Sequence, residues 1–300
     1  MSSDTKHIFQ SLAVNVSIAI AKGIAAFFTG SGSMLAETIH SSADCANQLL
    51  LLIGVTRARA KPDDSHPLGY GRSLYFWSFI VSLLLFSGGG VFSIYEGIHK
   101  MSHPEPVEHV WLGFAILGFS LAMEGWATWG NLKEMKVRRG ETPLFKYLQQ
   151  TKDSDLVVVF GENAAAVVGL IFAIASLFLA WQLNEPRWDA VGSLLIGVVL
   201  VCVAIFLGRE ITSLLLGERA DPKIELTVHQ VAKESKNIEE VLRIITLQQG
   251  PGEVVVACKV RVSDGLSARE AIDAINAFEK TIRERCPEVK WSFVEPDYAP

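Results

Sequence analysis

The chain has 300 residues, 50% of them hydrophobic and 20% charged, with a net charge of −5. An ordinary soluble domain is about 25% charged; with acids in excess and no basic face, the composition excludes a nucleic-acid binder. Charge thins over the first two-thirds and gathers in residues 218–300, so a membrane-embedded region is expected before a separate soluble unit.

Six segments reach the roughly 20 apolar residues that a bilayer core requires: 8–28, 34–55, 74–98, 110–132, 156–182 and 188–208. The first runs on past Lys22 with no small-residue cleavage site after a basic start, so it reads as a span and not as a signal peptide. Thr29-Gly30-Ser31-Gly32-Ser33 breaks the first pair of segments, and Asn184-Glu185-Pro186-Arg187 breaks the last. Arg57, Arg59, Lys61 and Arg72 follow the second segment. Lys133, Lys136, Arg138, Arg139, Lys146 and Lys152 follow the fourth, whereas the opposite side carries only Lys100 and Arg187. Basic loops stay on the cytoplasmic side, which puts both termini there. The expected fold is an α-helical membrane protein of six transmembrane helices over residues 1–215, with a small cytoplasmic α+β domain over 216–300. The membrane expected is the plasma (inner) membrane.

The C-terminal stretch reads as αββαβ. An amphipathic helix spans 222–235, and strands at 238–248 and 253–263 flank the turn Gly250-Pro251-Gly252. Ser267, with Glu270 three residues on, opens a capping box for a helix to about 285, and 289–295 reads as a third strand. Helices should cover one face of the sheet. The cysteines, Cys45, Cys202, Cys258 and Cys286, make no CxxC pair and so no disulfide framework or zinc knuckle.

Chemistry concentrates where ionisable groups interrupt the spans, because such groups are costly unless they face a cavity or an ion path. In the second segment His40 and Asp44 stand at i, i+4, about 6 Å apart on one helical face. Two readings of the pair stand side by side: an imidazole and a carboxylate sharing one metal ion, at about 2.0–2.2 Å per bond for zinc, or a buried His–Asp hydrogen bond holding helices together. The fifth segment carries Asp155, Glu162 and Asn163. Asp155 and Glu162 share a face but lie about 10 Å apart along the axis, too far to hold one ion together. Glu162 is placed to meet His40 and Asp44 at mid-membrane. Asp155, nearer the cytoplasmic end, suits an entrance role or an ordinary helix N-terminal acid. Glu37 and Glu124 are further acids within spans. Lys22 is expected to neutralise Glu124 or to snorkel to an interface, and Asn15 and Asn47 to add neutral oxygens or hydrogen bonds between helices.

The loop Lys61-Pro62-Asp63-Asp64-Ser65-His66 holds two carboxylates and an imidazole. It reads either as a cation site or as a solvated turn with Asp63 paired to a neighbouring Arg. His7, His99, His103, His109 and His229 are expected to be exposed. No HExxH, GxSxG or P-loop appears, so the chain is not read as an enzyme.

The runs Thr29-Gly-Ser-Gly-Ser-Met-Leu-Ala-Glu-Thr-Ile-His-Ser-Ser-Ala-Asp44 and Asp64-Ser-His-Pro-Leu-Gly-Tyr-Gly71 resemble the helix-two metal motif of the cation diffusion facilitators and the loop after it. Members of that family are dimeric metal/proton antiporters with six helices and a cytoplasmic αββαβ domain, so the resemblance implies a homodimer in a lipid bilayer that carries a divalent cation against protons. The chain departs from the family at the fifth helix, where a His-x-x-x-Asp pair is usual. Counting from Gly169, the acid position falls on Asn163 and the histidine position on Val159, and Glu162 is expected to take over. Glu162 and Ser120-x-Ala122-x-Glu124-Gly125 resemble the divergent branch that includes a mitochondrial zinc transporter. The implied cargo is Zn²⁺, with Mn²⁺, Fe²⁺ or Co²⁺ as alternatives for this harder ligand set; a membrane-anchored metal sensor is the competing class. Tyr70 stands where relatives often have a histidine, and the C-terminal domain lacks the family's histidine cluster.

Overall fold

The computed structural model describes residues 3–298, with side chains from Asn15 onward except that of Asp155. Helix α1 (Ser3–Thr29) and α2 (Gly32–Ala58) are followed by α3 (Ser73–Leu84), which continues through a π-helical stretch (Leu85–Val91) into α4 (Phe92–Ser102). Then come α5 (Val110–Arg139), the short α6 (Leu144–Gln150), α7 (Ser154–Leu183) and α8 (Arg187–Leu216). Among the described residues, four stretches are long and apolar enough to cross a membrane: Ser73–Ser102, Val110–Arg139, Leu156–Leu183 and Arg187–Leu216. Only Asn15–Thr29 of α1 forms a shorter apolar stretch, and α2 carries Glu37, His40, Asp44 and Asn47 along its length. The polarity of α2 keeps it out of this set, and α1 contributes only its stretch from Asn15, where its described side chains begin.

Internal contacts divide the chain into two units. One takes α1 and α2 up to Ile53 together with Trp77–Ile211; the other takes Gly54–Phe76 and the chain from Thr212 on. Within the first, α5 packs against α7 and α1. The π-helical stretch falls on Gly88-Gly89-Gly90, where small residues permit close helix approach. A Cβ on Gly90 would lie 2.6 Å from Val201 Cγ2 on α8, and one on Gly197 would lie 2.6 Å from Ile94 Cγ1. Outward-facing Phe27 and Trp126, each 83% exposed, suit a hydrocarbon environment and no aqueous one.

The second unit contains the αββαβ domain in the expected order: α9 (Pro222–Glu234), β1 (Ile238–Gly250), β2 (Glu253–Val262), α10 (Ala268–Arg285) and β3 (Val289–Pro296). Asp221 caps α9 and Ser267 with Glu270 forms the capping box of α10. Strand β2 is central, antiparallel to β1 and parallel to β3. Its alternation places Val254, Val256, Cys258 and Val260 inward, against Ile224 and Val228 of α9 and Phe278 and Ile282 of α10. Each such side chain contributes about 1.5–3 kcal/mol on burial. Burial pushes the Cys258 thiol up to about 12, so it is inert as a thiolate ligand. On the other face, Ile245 and Phe293 are exposed.

The loop after α2 closes on itself. Asp63 Oδ1 accepts from the amides of Ser65 (3.0 Å) and His66 (2.8 Å), and Oδ2 accepts from Tyr70 Oη (2.7 Å). The Tyr70 hydrogen bond holds the Asp63 carboxyl below its ordinary range. The partner of Asp63 is therefore Tyr70 and its own turn, not an Arg: a short acceptor side chain bonds the backbone two and three residues on more readily than it reaches a mobile guanidinium. His66 lies against the Tyr70 ring, centroids 4.1 Å apart. Next to it, a Cβ on Gly71 would lie 2.8 Å from the Gln249 carbonyl oxygen at the β1–β2 turn, so this loop and the hairpin tip meet backbone to backbone.

Candidate metal centre

Helix α2 is set in place at its N-terminus. Asp189, 1% exposed in the first turn of α8, accepts from Ser31 Oγ (2.6 Å), Gly32 N (2.6 Å), Ser33 N (3.4 Å) and Ser33 Oγ (2.5 Å). A carboxylate here satisfies orphan donors at the head of α2 and favours its dipole. The sequence places the Gly-Ser break but does not reveal its partner; the one available sign was an acid opening an otherwise apolar span.

Two turns further along, α2 presents His40, with no exposure, and Asp44, with a 19% exposed side chain. His40 Nδ1 is 3.5 Å from Asp44 Oδ1, without the geometry of a hydrogen bond. Among the described residues neither ring nitrogen of His40 nor Asp44 Oδ1 has a hydrogen-bond partner. Buried polar atoms are nearly always satisfied, so a cluster of orphaned donors and acceptors on one helical face is what a binding position looks like without its ligand. The alternative of a hydrogen-bonded structural pair is not the arrangement present.

Asp44 opens onto a cavity of about 60 Å³. Glu162, Asn163 and Val159 of α7 line it, as do Glu124 of α5 and Ser41 of α2. The two positions where the family pattern has its acid and histidine thus face the same space as Glu162. Glu162 is 7% exposed and accepts a hydrogen bond from Asn47 Nδ2, so Asn47 links α2 to α7 as its expected interhelical role required. Asn163 is half-buried, and its main-chain carbonyl oxygen accepts from Thr128 Oγ1 on α5 (3.4 Å). His40 is not among the residues lining the cavity, and among the described residues no three His, Cys, Asp or Glu side chains are close enough to hold a metal ion. Asp155 lies in the first turn of α7, its side chain outside the described residues.

Lys22 departs from expectation. It is fully buried and donates to Glu37 Oε2 (3.2 Å) and Ser41 Oγ (2.7 Å), so it neither pairs with Glu124 nor snorkels. Glu37, also fully buried, is the carboxylate that most requires a counter-charge, while Glu124 faces the cavity. His99, His103, His109 and His229 are exposed as expected; the side chain of His7 lies outside the described residues.

A family model, the cation efflux transmembrane domain, matches residues 8–216. The chain belongs to this family, and lies with its zinc-transporter branch. It is 32% identical over 235 residues to the mouse mitochondrial proton-coupled zinc antiporter SLC30A9, covering 78% of this chain and 41% of the relative. The Xenopus laevis protein of that name is 35% identical over 203 residues (67% of this chain, 36% of the relative). Metal tolerance protein C4 of Arabidopsis thaliana is 30% identical over 222 residues (73% and 48%). The chain spans less than half the length of these relatives.

Proposed function

We propose that the chain carries divalent metal ions, Zn²⁺ first among them, out of the cytoplasm in exchange for protons, with His40, Asp44 and Glu162 as the ligands. The observation that carries this reading is the set of unpartnered atoms on His40 and Asp44, one turn apart on α2, with Asp44 lining a cavity that Glu162 and Asn163 also line. The two relatives named as proton-coupled zinc antiporters support zinc and protons; one imidazole with two carboxylates also suits Mn²⁺, Fe²⁺ and Co²⁺. His and carboxylates bind either metal or protons, so metal entry displaces protons and proton return releases metal. To close on one ion, α7 must bring Glu162 nearer to His40, which gives the alternating-access step a defined motion: α2 against α7. Asp155 sits toward the entrance, and Asn163 offers a neutral oxygen beside Glu162.

The accompanying architecture is six spans, of which α2 is the most polar because it carries the ion-binding side chains. The transport domain takes 1–215 and the cytoplasmic domain 216–300, with both termini cytoplasmic in the plasma (inner) membrane. The exposed Ile245 and Phe293 face is where a homodimer would pair. Proteoliposomes loaded with a pH-sensitive dye and given Zn²⁺, Mn²⁺, Fe²⁺, Co²⁺ or Cd²⁺ in parallel test the reading. Metal uptake with opposite proton flux is expected. Metal bound at the protein with none moved would replace transport by a membrane-anchored sensor.

A further inference from the structure

Lys22 ranks among the largest side chains of the molecule with no exposure at all, deep within α1. Its neighbour Ser41 lines the cavity that Asp44, Glu124 and Glu162 also line. The ammonium thus pairs directly with Glu37 and, through Ser41, adjoins the cavity onto which Asp44 and Glu124 open. Stability alone is a weak account of such a pair, since desolvation of two buried charges offsets their attraction. Nor is the pair closed on itself: Glu37 Oε1 has no hydrogen-bond donor among the described residues. That oxygen abuts α7 at Gly169, where a Cβ would run into it. The pair thus touches α1, α2 and α7, which line the cavity together with α5.

We propose that Lys22 is the built-in counter-cation of the cavity: it balances the carboxylates while no metal is bound and opposes a divalent ion that enters, setting how tightly the site holds metal and how readily it lets go. This rests on the cavity being the transport site. A cargo ion brings two positive charges into a cavity one side chain away from a third that cannot leave, in surroundings where charge is poorly screened. Lys22 therefore touches no cargo; it acts through Glu37, Ser41 and the field they share.

The test is a set of charge-neutral substitutions in the full-length protein, read by zinc titration in nanodiscs and by zinc uptake in proteoliposomes. Lys22→Gln leaves the acids unbalanced, so zinc affinity rises at least about tenfold, the effect of one nearby charge, while the maximal uptake rate falls because release slows. Glu37→Gln leaves the lysine unopposed and lowers zinc affinity by a similar factor. Lys22→Gln with Glu37→Gln returns affinity to near the wild-type value, and Lys22→Arg keeps it. A purely structural pair predicts instead that both single variants lose affinity and folded yield together and that the double variant does not recover. Should Lys22→Gln fail to fold, Glu37→Gln against the double variant carries the same test: equal affinities overturn the proposal. A wild-type protein that binds no zinc removes the transport site itself, whereas one that binds zinc with all variants equal overturns only the role of Lys22.

Discussion

The two ends of one stretch of α2 make opposite use of buried polar groups. At its N-terminus, Asp189 gathers four donors from Ser31, Gly32 and Ser33 within 3.4 Å. Two turns on, His40 is just as deeply buried and both its ring nitrogens are unpartnered. Desolvation penalises an unpaired polar group by about 1–3 kcal/mol, so the first arrangement stabilises the fold and the second is tolerated at a cost. A satisfied cluster is structure; an unsatisfied one beside a cavity is where an ion is expected to supply the missing bonds.

This contrast gives predictions of opposite sign. The largest effect is expected from Asp189→Ala, which strands the donors at the head of α2 and lowers stability by at least about 3 kcal/mol. Thermal unfolding in detergent should show it, with metal binding per folded molecule retained. His40→Leu should do the reverse in metal-free buffer: no loss of stability, or a gain of about 1 kcal/mol, with zinc binding abolished. If His40→Leu destabilises as much as Asp189→Ala, the two clusters are alike and the contrast is lost.

The α7 side sharpens the comparison. Glu162→Gln keeps shape and can still bond Asn47 but removes the charge, so zinc affinity and proton-coupled uptake should both collapse. Asn163→Ala should reduce uptake only severalfold. Asp155→Ala should weaken uptake less than Asp44→Ala does, because about 10 Å of helix separates Asp155 from Glu162. Equal loss at Asp155 and Asp44 would place Asp155 on the ion. The smallest effect is expected at the loop after α2. Because Tyr70 holds the Asp63 carboxyl below its ordinary range, its contribution is present above the unfolded carboxylate value and is lost as pH falls through the folded one. Tyr70→Phe should lower thermal stability slightly at pH 7, and the difference from wild type should vanish once the pH drops well below about 3.9.

Local rules made much of this fold legible. The Ser267–Glu270 capping box, the Gly250-Pro251-Gly252 turn and the alternation of β2 each depend on neighbours in sequence, and the αββαβ unit follows from them. His40, Asp44 and Glu162 stood out as candidates because ionisable residues in apolar runs are conspicuous, and His40 and Glu162 are buried. What stayed hidden depends on which helix faces which. The capping of α2 by Asp189 joins residues more than 150 positions apart. The choice of Glu37 over Glu124 as partner of Lys22, and the entry of Glu124 into the cavity, are likewise set by helix rotation, which no spacing rule fixes. Gly89 and Gly90 of the π-helical stretch pack closely on α8, and three consecutive glycines were its one sequence sign.

The central claim is that α2 and α7 hold the ion between them through His40, Asp44 and Glu162. Diffraction from zinc-soaked crystals of the full chain, measured on both sides of the zinc absorption edge, tests it most directly. One anomalous peak is expected within bonding distance of a His40 ring nitrogen, an Asp44 oxygen and a Glu162 oxygen. A peak bound by the Asn163 side-chain oxygen with Glu162 turned away to Asn47, or a peak only in the Asp63–His66 loop, would contradict it.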